Sequence, residues 1–211
     1  MPDLTRRQLP LVAAAIASAG LSARTHAASG IAPDLAYTAF SRNDPPAAFV
    51  EPPAPVGTVA YNHWLGTMFN GVLFNTPDAT GQARIAARIV HRDYLQHNLL
   101  VAQGRQGILD FMPYLFKAMP DTRFILHEVI ATTDRVVTRW TWTGTLTGEG
   151  FLGVAPRGQR IEFDGIDIWT VKDGLLYEHW DQFDWPRALI QIGLGNLPAP
   201  FYDVARRPYS R

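Results

Sequence analysis

Of the five aspartates in the stretch from Arg160 to Trp185, four, Asp164, Asp167, Asp181 and Asp184, lie outside its Lys172-Asp173-Gly174 turn. The same stretch carries Phe163, Trp169, Tyr177, Trp180, Phe183 and Trp185, with His179 between Glu178 and Trp180. A carboxylate set among aromatic side chains loses hydration, its charged form is disfavoured, and its pKa climbs toward the range useful for moving protons. Two such carboxylates in one apolar cavity repel, so Asp167 and Asp181 would titrate as a coupled pair with one member raised. The alternative is that the aspartates face water on the outer side of an antiparallel sheet and do no chemistry.

The turn at Lys172-Asp173-Gly174 decides which of these groups meet. A two-residue loop at Asp173-Gly174 opposes Lys172 to Leu175 and Asp167 to Trp180. A three-residue loop, with Gly174 as a left-handed bulge residue, opposes Val171 to Leu175, Asp167 to His179 and Asp181 to Gly165. The second register is preferred. It gathers Asp167, His179, Asp181, Trp169 and Tyr177 on one face and sends Glu178 and Gln182 to the other, with Trp180 as the misfit.

Upstream elements must hold this hairpin. From Val59 to Phe74, Trp64, Leu65, Met68, Val72 and Leu73 recur at helical spacing. Asn75-Thr76-Pro77-Asp78 ends that helix, and Thr80 is placed to cap a second one with Ile85, Ile89 and Tyr94 on its inner face. His63 and His91 ride on these helices, where a lone histidine is more often structural than catalytic. Asp93 to Asn98 then reads as the end of the second helix, lining a cavity or tying down a loop. A further helix is expected from Ile108 to Ala118. After Asp121 the period shortens to two: Phe124 to Val129 and Arg135 to Leu146 read as strands, with Trp140 and Trp142 sharing a face. Gly144 to Gly158 is glycine-rich but lacks the strand-turn-helix setting of a phosphate loop. A short helix is expected from Pro186 to Leu197. Helices first and antiparallel strands after give an α+β fold, a strongly curved antiparallel sheet wrapped over N-terminal helices.

Lys+Arg and Asp+Glu stand at 19 each, so no basic footprint points to nucleic acid. The absence of cysteine excludes disulfides, thiolate metal sites and a cysteine nucleophile. At the N-terminus, Thr5-Arg6-Arg7-Gln8-Leu9 carries an arginine pair, followed by an apolar run from Leu11 to Ala23 and small-residue cleavage sites near Ala27. This resembles a twin-arginine export signal over residues 1–28, too short to span a bilayer. It implies a periplasmic or secreted protein with no stable membrane anchor once the signal is removed. Residues 29–58, rich in Pro and Ala, read as an extended arm, 59–200 as the folded domain and 201–211 as a tail.

The segments GTLTGEGFLGVAPRGQRIEFDGIDIW (144–169), DGLLYEHWDQFD (173–184) and DYLQHNLLVAQG (93–104) together resemble the SnoaL-like polyketide cyclases, also labelled ester cyclases, of the nuclear-transport-factor-2-like superfamily. The resemblance implies a cone-shaped α+β barrel around an apolar pocket. It also implies an aspartate acting as general acid/base in an aldol ring closure, with no metal or other cofactor. That aspartate matches Asp181, while Asp167 stands where the family has a histidine and His97-Asn98 match its His-Asn pair. Leu146 and Leu99 depart from the family's His and Pro.

On this reading Asp181 abstracts a proton next to a carbonyl, and His97 or His179 donates to the enolate oxygen. Asp167, His97 and His179 complete the catalytic candidates. Asn98, Trp64, Tyr94, Trp142, Trp169 and Tyr177 are the candidate contacts to a small apolar ligand. An Asp-Arg-Asp epoxide-opening set would have to use Arg139. The competing reading is an exported, non-catalytic ligand-binding domain. A homodimer through the outer sheet face is the expected assembly.

Overall fold

The computed structural model describes residues 48–195. Residues 1–28, expected to be an export signal, most of the expected arm and the 201–211 tail lie outside the described residues. The chain enters α1 (Val59–Gly66), capped by the Thr58 hydroxyl, which accepts from the Tyr61 N–H. The helix continues as a π-helical stretch (Thr67–Val72) and a 3₁₀ turn (Leu73–Asn75). Gly66 lets it sit hard against the sheet, since a Cβ there would lie 2.7 Å from Val136.

Next comes α2 (Ala79–Ile89), whose cap is Asp78 and not Thr80: its carboxylate accepts from the Gly81 N–H at 2.6 Å. The remaining elements are β1 (Val90–Gln96), α3 (Gly104–Ala118), β2 (Arg123–Ala131), β3 (Arg135–Leu146), β4 (Gln159–Lys172), β5 (Leu175–Phe183) and α4 (Trp185–Ile192). Asp184 caps α4, Pro186 occupies its first turn and Gly193 ends it in the left-handed region at φ 92°. Among the described residues no helix is long and apolar enough to cross a membrane.

The five strands form one curved sheet in the order β1-β5-β4-β3-β2, antiparallel throughout except where β1 pairs parallel to β5. The run expected to end α2 is therefore a strand. Val90, β-branched and fully buried, starts it, and Leu95 and Gln96 pair with Glu178 and His179. Tyr94 is buried from a strand, not from a helix face. The fold class is α+β, with the helices laid over the inner face of the sheet.

The hairpin takes neither register considered. Asp173 and Gly174 both have positive φ, 52° and 73°, the requirement of a two-residue type I′ loop, and Lys172 opposes Leu175. The three-residue loop is thus corrected. The ladder then slips by one between Thr170 and Val171, because Tyr177 bulges out of β5. Its ring lands on the outer side, edge-on to His91 at 5.0 Å and beneath the Lys172 ammonium at 4.4 Å. Beyond the bulge Asp167 faces Asp181 and Trp169 faces His179, while Gly165 faces Phe183 instead of Asp181.

Gly165 also faces Trp140 across β3, and its missing side chain is the space the indole fills. A Cβ there would fall 2.3 Å from two ring carbons. Gly165→Ala must push the indole away. The substitution is expected to cost about 1–3 kcal/mol, read by denaturant unfolding, and to move the Trp140 indole N–H resonance. Wild-type stability with an unmoved resonance would overturn the packing described.

Candidate active site

On the inner face of the hairpin, Asp167 is 3 % exposed and His179 5 %, while Asp181 is half-buried. Burying a carboxylate is costly unless it is hydrogen-bonded. Asp167 meets this through donors from two other elements: Asn70 Nδ2 at 2.9 Å and the Trp140 indole N–H at 2.7 Å, both to Oδ2. Asn70 comes from the π-helical stretch, a wide turn of the kind often found at functional sites. Its carbonyl oxygen accepts from the Thr138 hydroxyl at 2.8 Å, which leaves the amide N–H for Asp167.

The remaining Asp167 oxygen, Oδ1, lies 3.3 Å from His179 Nε2. The other ring nitrogen fixes the tautomer. Gln96 Oε1 accepts from the backbone N–H of Asn98 at 2.9 Å, so that end of the amide is the oxygen, and His179 Nδ1 at 3.0 Å must donate to it. Nε2 then faces Asp167 either as a bare lone pair or, with a second proton, as half of an ion pair. It is buried and makes no hydrogen bond. Trp169 stacks on the imidazole at 4.9 Å and 17°. Tyr94 stacks near it at 5.8 Å and accepts from the Trp169 indole N–H at 2.7 Å. Burial pushes the Tyr94 phenol well up, so this hydroxyl stays a neutral support.

Asp181 is set differently. Its Oδ2 accepts from Asn98 Nδ2, and the Asn98 carbonyl oxygen is committed to the Leu100 N–H at 2.8 Å. Loss of hydration on burial raises the Asp181 carboxyl above its ordinary value. The Asn98 bond and His179 oppose the rise, and the charge of Asp167 adds to it. Asp167, His179 and Asp181 each offer one atom within 4.8 Å of the others, a donor set of one nitrogen and two oxygens that could also hold a divalent cation.

These groups form the polar wall of a cavity of about 60 Å³, otherwise lined mainly by aromatic rings including Phe69, Phe124, Trp140, Trp142 and Phe183. Of the residues singled out from the sequence, Asp167, His179, Asp181, Asn98 and Trp142 line it. Trp169 and Tyr94 stand one layer behind. Trp64 lies elsewhere in the core, its indole N–H given to the Val50 carbonyl at 2.9 Å. His97 is on the outer side, stacked on Trp180 at 4.9 Å and paired with Glu178 at 3.1 Å. Tyr177 is outside through the bulge. Arg139 is likewise on the outer side, bound to Glu128 at 3.2 Å, so no Asp-Arg-Asp set forms here. Asn70, Trp140 and Gln96 were missed as site residues. The available signals were an asparagine inside an apolar helical run and an indole sharing a face with Trp142.

The model of the family described as SnoaL-like polyketide cyclase matches residues 72–192, more than half of the chain. The chain belongs to the SnoaL-like polyketide cyclase family. Among solved structures it is similar to TsrD from Streptomyces laurentii, at 26 % identity over 64 % of this chain and 96 % of that one, with a TM-score of 0.57. A protein from Bacillus cereus assigned to the polyketide cyclases matches at 21 % identity, 72 % and 94 % coverage and a TM-score of 0.56. AclR from Streptomyces galilaeus, assigned as a hydroxylase, matches at 23 %, 70 % and 91 %, with a TM-score of 0.53. The latter two likenesses establish the fold alone. No curated protein matches the chain. SnoaL-like domains bind small ligands, which agrees with an aromatic-walled cavity.

Two substitutions test this electrostatic arrangement. Because the folded-state pKa of Asp181 is raised, its ionisation weighs against the folded state as pH climbs from about the ordinary 3.8 through the raised value. Asp181→Asn keeps an acceptor for Asn98 and removes that penalty. Thermal melts from pH 3 to 8 should therefore show the variant gaining stability relative to wild type as pH rises. A constant difference would refute the raised pKa. Trp140→Phe deprives Asp167 of a donor and should cost about 1–3 kcal/mol in denaturant unfolding.

Proposed function

We propose that this chain is a cofactor-independent acid/base enzyme, a cyclase, isomerase or lyase, acting at a carbon next to the carbonyl of a small apolar compound. One observation carries the reading: a half-buried carboxylate, raised by burial, shares an aromatic cavity with a buried Asp-His pair whose Nε2 makes no hydrogen bond. Asp181, as carboxylate, takes the proton from carbon. His179 Nε2–H, held toward Asp167, donates to the oxygen on which enolate charge develops. Asp181 then returns its proton to carbon or to a leaving oxygen while the enol hydroxyl gives its proton back to His179, so the carbonyl is restored and the protein ends as it began. Gln96 keeps the donating nitrogen on the cavity side, and Asn98 holds one Asp181 oxygen fixed. Family membership supports the fold and the small-molecule ligand. Burial of Asp167 and partial burial of Asp181 favour chemistry over passive binding, because an idle pair would be expensive to keep.

Residues 1–28 are proposed to direct export, on the arginine pair and the short apolar run that follows it. Cleavage near Ala28 would leave a chain free of the membrane.

The test is exchange of α-hydrogens for deuterium in aryl ketones, followed by NMR in D₂O. Wild type should accelerate exchange. Asp181→Asn should lose about 10²–10⁴-fold of the acceleration, the usual contribution of a general acid or base, while still binding the ketone. Equal exchange by the variant would sink the assignment of Asp181.

A further inference from the structure

His179 is 5 % exposed and lines the aromatic cavity, yet its Nε2 makes no hydrogen bond among the described residues. Asp167 Oδ1 is 3.3 Å away, near enough for attraction to a positive charge but not in hydrogen-bonding geometry. Because Nδ1–H is given to Gln96, the neutral ring keeps its free lone pair on this buried nitrogen. An uncompensated polar atom in such a place is costly and calls for a partner. Asp181 stands directly across the ladder from Asp167, so two carboxylates flank the same nitrogen. One nitrogen and two carboxylate oxygens thus lie within 4.8 Å of one another on a single cavity wall.

We propose that Asp167, His179 and Asp181 form a binding site for a divalent transition-metal ion, with zinc as the fitting ion. Three features on the page support it beyond the clustering of acids. The free lone pair sits on the nitrogen that would ligate, and the opposite ring nitrogen donates to a carbonyl oxygen, as in metal-bound histidines generally. Each carboxylate is also oriented from outside: Asn70 and Trp140 both donate to Asp167 Oδ2, and Asn98 donates to Asp181 Oδ2. Two carboxylates balance the charge of a dication and lose their mutual repulsion when one lies between them. An imidazole ligand favours zinc and its neighbours over magnesium and calcium, which take oxygen ligands. Water completes the coordination, and the cavity has space for several molecules. The ion is not required by the acid/base chemistry and excludes it. Zinc on Asp181 and on His179 Nε2 leaves the one unable to take a proton and the other without one to give. That exclusion rests on the acid/base reading, whereas the binding site does not.

The test uses the full chain, without a histidine tag and labelled with nitrogen-15, titrated with zinc alone. Long-range proton–nitrogen spectra should show the His179 Nε2 resonance moving to completion by one equivalent, with Nδ1 still protonated. Magnesium at the same concentration should leave it in place. In calorimetry, Asp181→Asn should raise the zinc Kd by at least about 100-fold, the upper end of the cost of losing an outer-shell partner. The variant keeps the Asn98 contact, so loss of the fold does not confound the result. Two histidine–carboxylate pairs outside the cavity, His97 with Glu178 at 3.1 Å and His91 with Asp173 at 3.9 Å, are the rival sites. A His179 resonance unmoved at saturating zinc, an unchanged Kd in Asp181→Asn, or binding that titrates His91 or His97 instead would each overturn the proposal. Ketone deuterium exchange in the same samples separates the two readings. Zinc bound at His179 with no exchange even in its absence would reject the acid/base function and leave the metal site standing. Exchange that zinc does not slow, with His179 unmoved, would do the reverse.

Discussion

A buried carboxylate has to be answered from every side, and Asp167 is the point to which the rest of this fold is tied. It sits nearly unexposed on the central strand β4. The π-helical stretch answers with Asn70, β3 with Trp140 and β5 with His179. Each of those partners is pinned in turn, Asn70 by Thr138 and His179 by Gln96. Removing one partner leaves an imperfectly compensated charge in an apolar interior, far more costly than the loss of a surface bond. The helix that precedes the sheet is thereby fixed to it by polar contacts as well as by packing.

The two aspartates have the same chemistry and opposite settings. Asp167 has donors on one oxygen and an imidazole on the other, and its role is to hold. Asp181 has a single side-chain donor and a cavity in front of it, and burial leaves its proton affinity increased. Environments that separate two like groups in this way mark out distinct roles for them. The division follows from the neighbours of each: directly opposed, the two side chains project from the same face, but Asn70 and Trp140 reach Asp167 while Asp181 is met by Asn98 just past the end of β1.

Much of this was legible from side-chain alternation. Asp167, His179 and Asp181 lie on one face whether a three-residue loop opposes Asp167 to His179 or a tight turn with a bulge opposes it to Asp181. The two pairings differ by two positions and so preserve the face. What local pattern could not reveal was the bulge itself. It depends on Tyr177 finding His91, far away in sequence, on the outer side. The strand β1 was hidden for a related reason. His91, Arg92 and Asp93 carry no apolar alternation, and β1 is a strand because the edge of β5 is there to pair with it. Asn70 sits inside a run read correctly as helix, but spacings of three and four cannot announce a π turn. His97 and Asn98, adjacent in sequence, part ways at the end of β1, where successive side chains leave by opposite faces.

The separations along the chain carry a consequence for how the site comes into being. Asp167 and Asp181 are joined by a tight turn and meet through a local hairpin. Asn70 reaches Asp167 across 97 positions and Gln96 reaches His179 across 83. Closing loops of that length costs entropy that only a nearly complete core repays. The hairpin excised as a peptide would present the same two acids and the same imidazole in water, with Asp181 no longer desolvated and an imidazole free to choose its tautomer. The reactivity is therefore a property of the finished domain, and no contiguous segment of the chain possesses it.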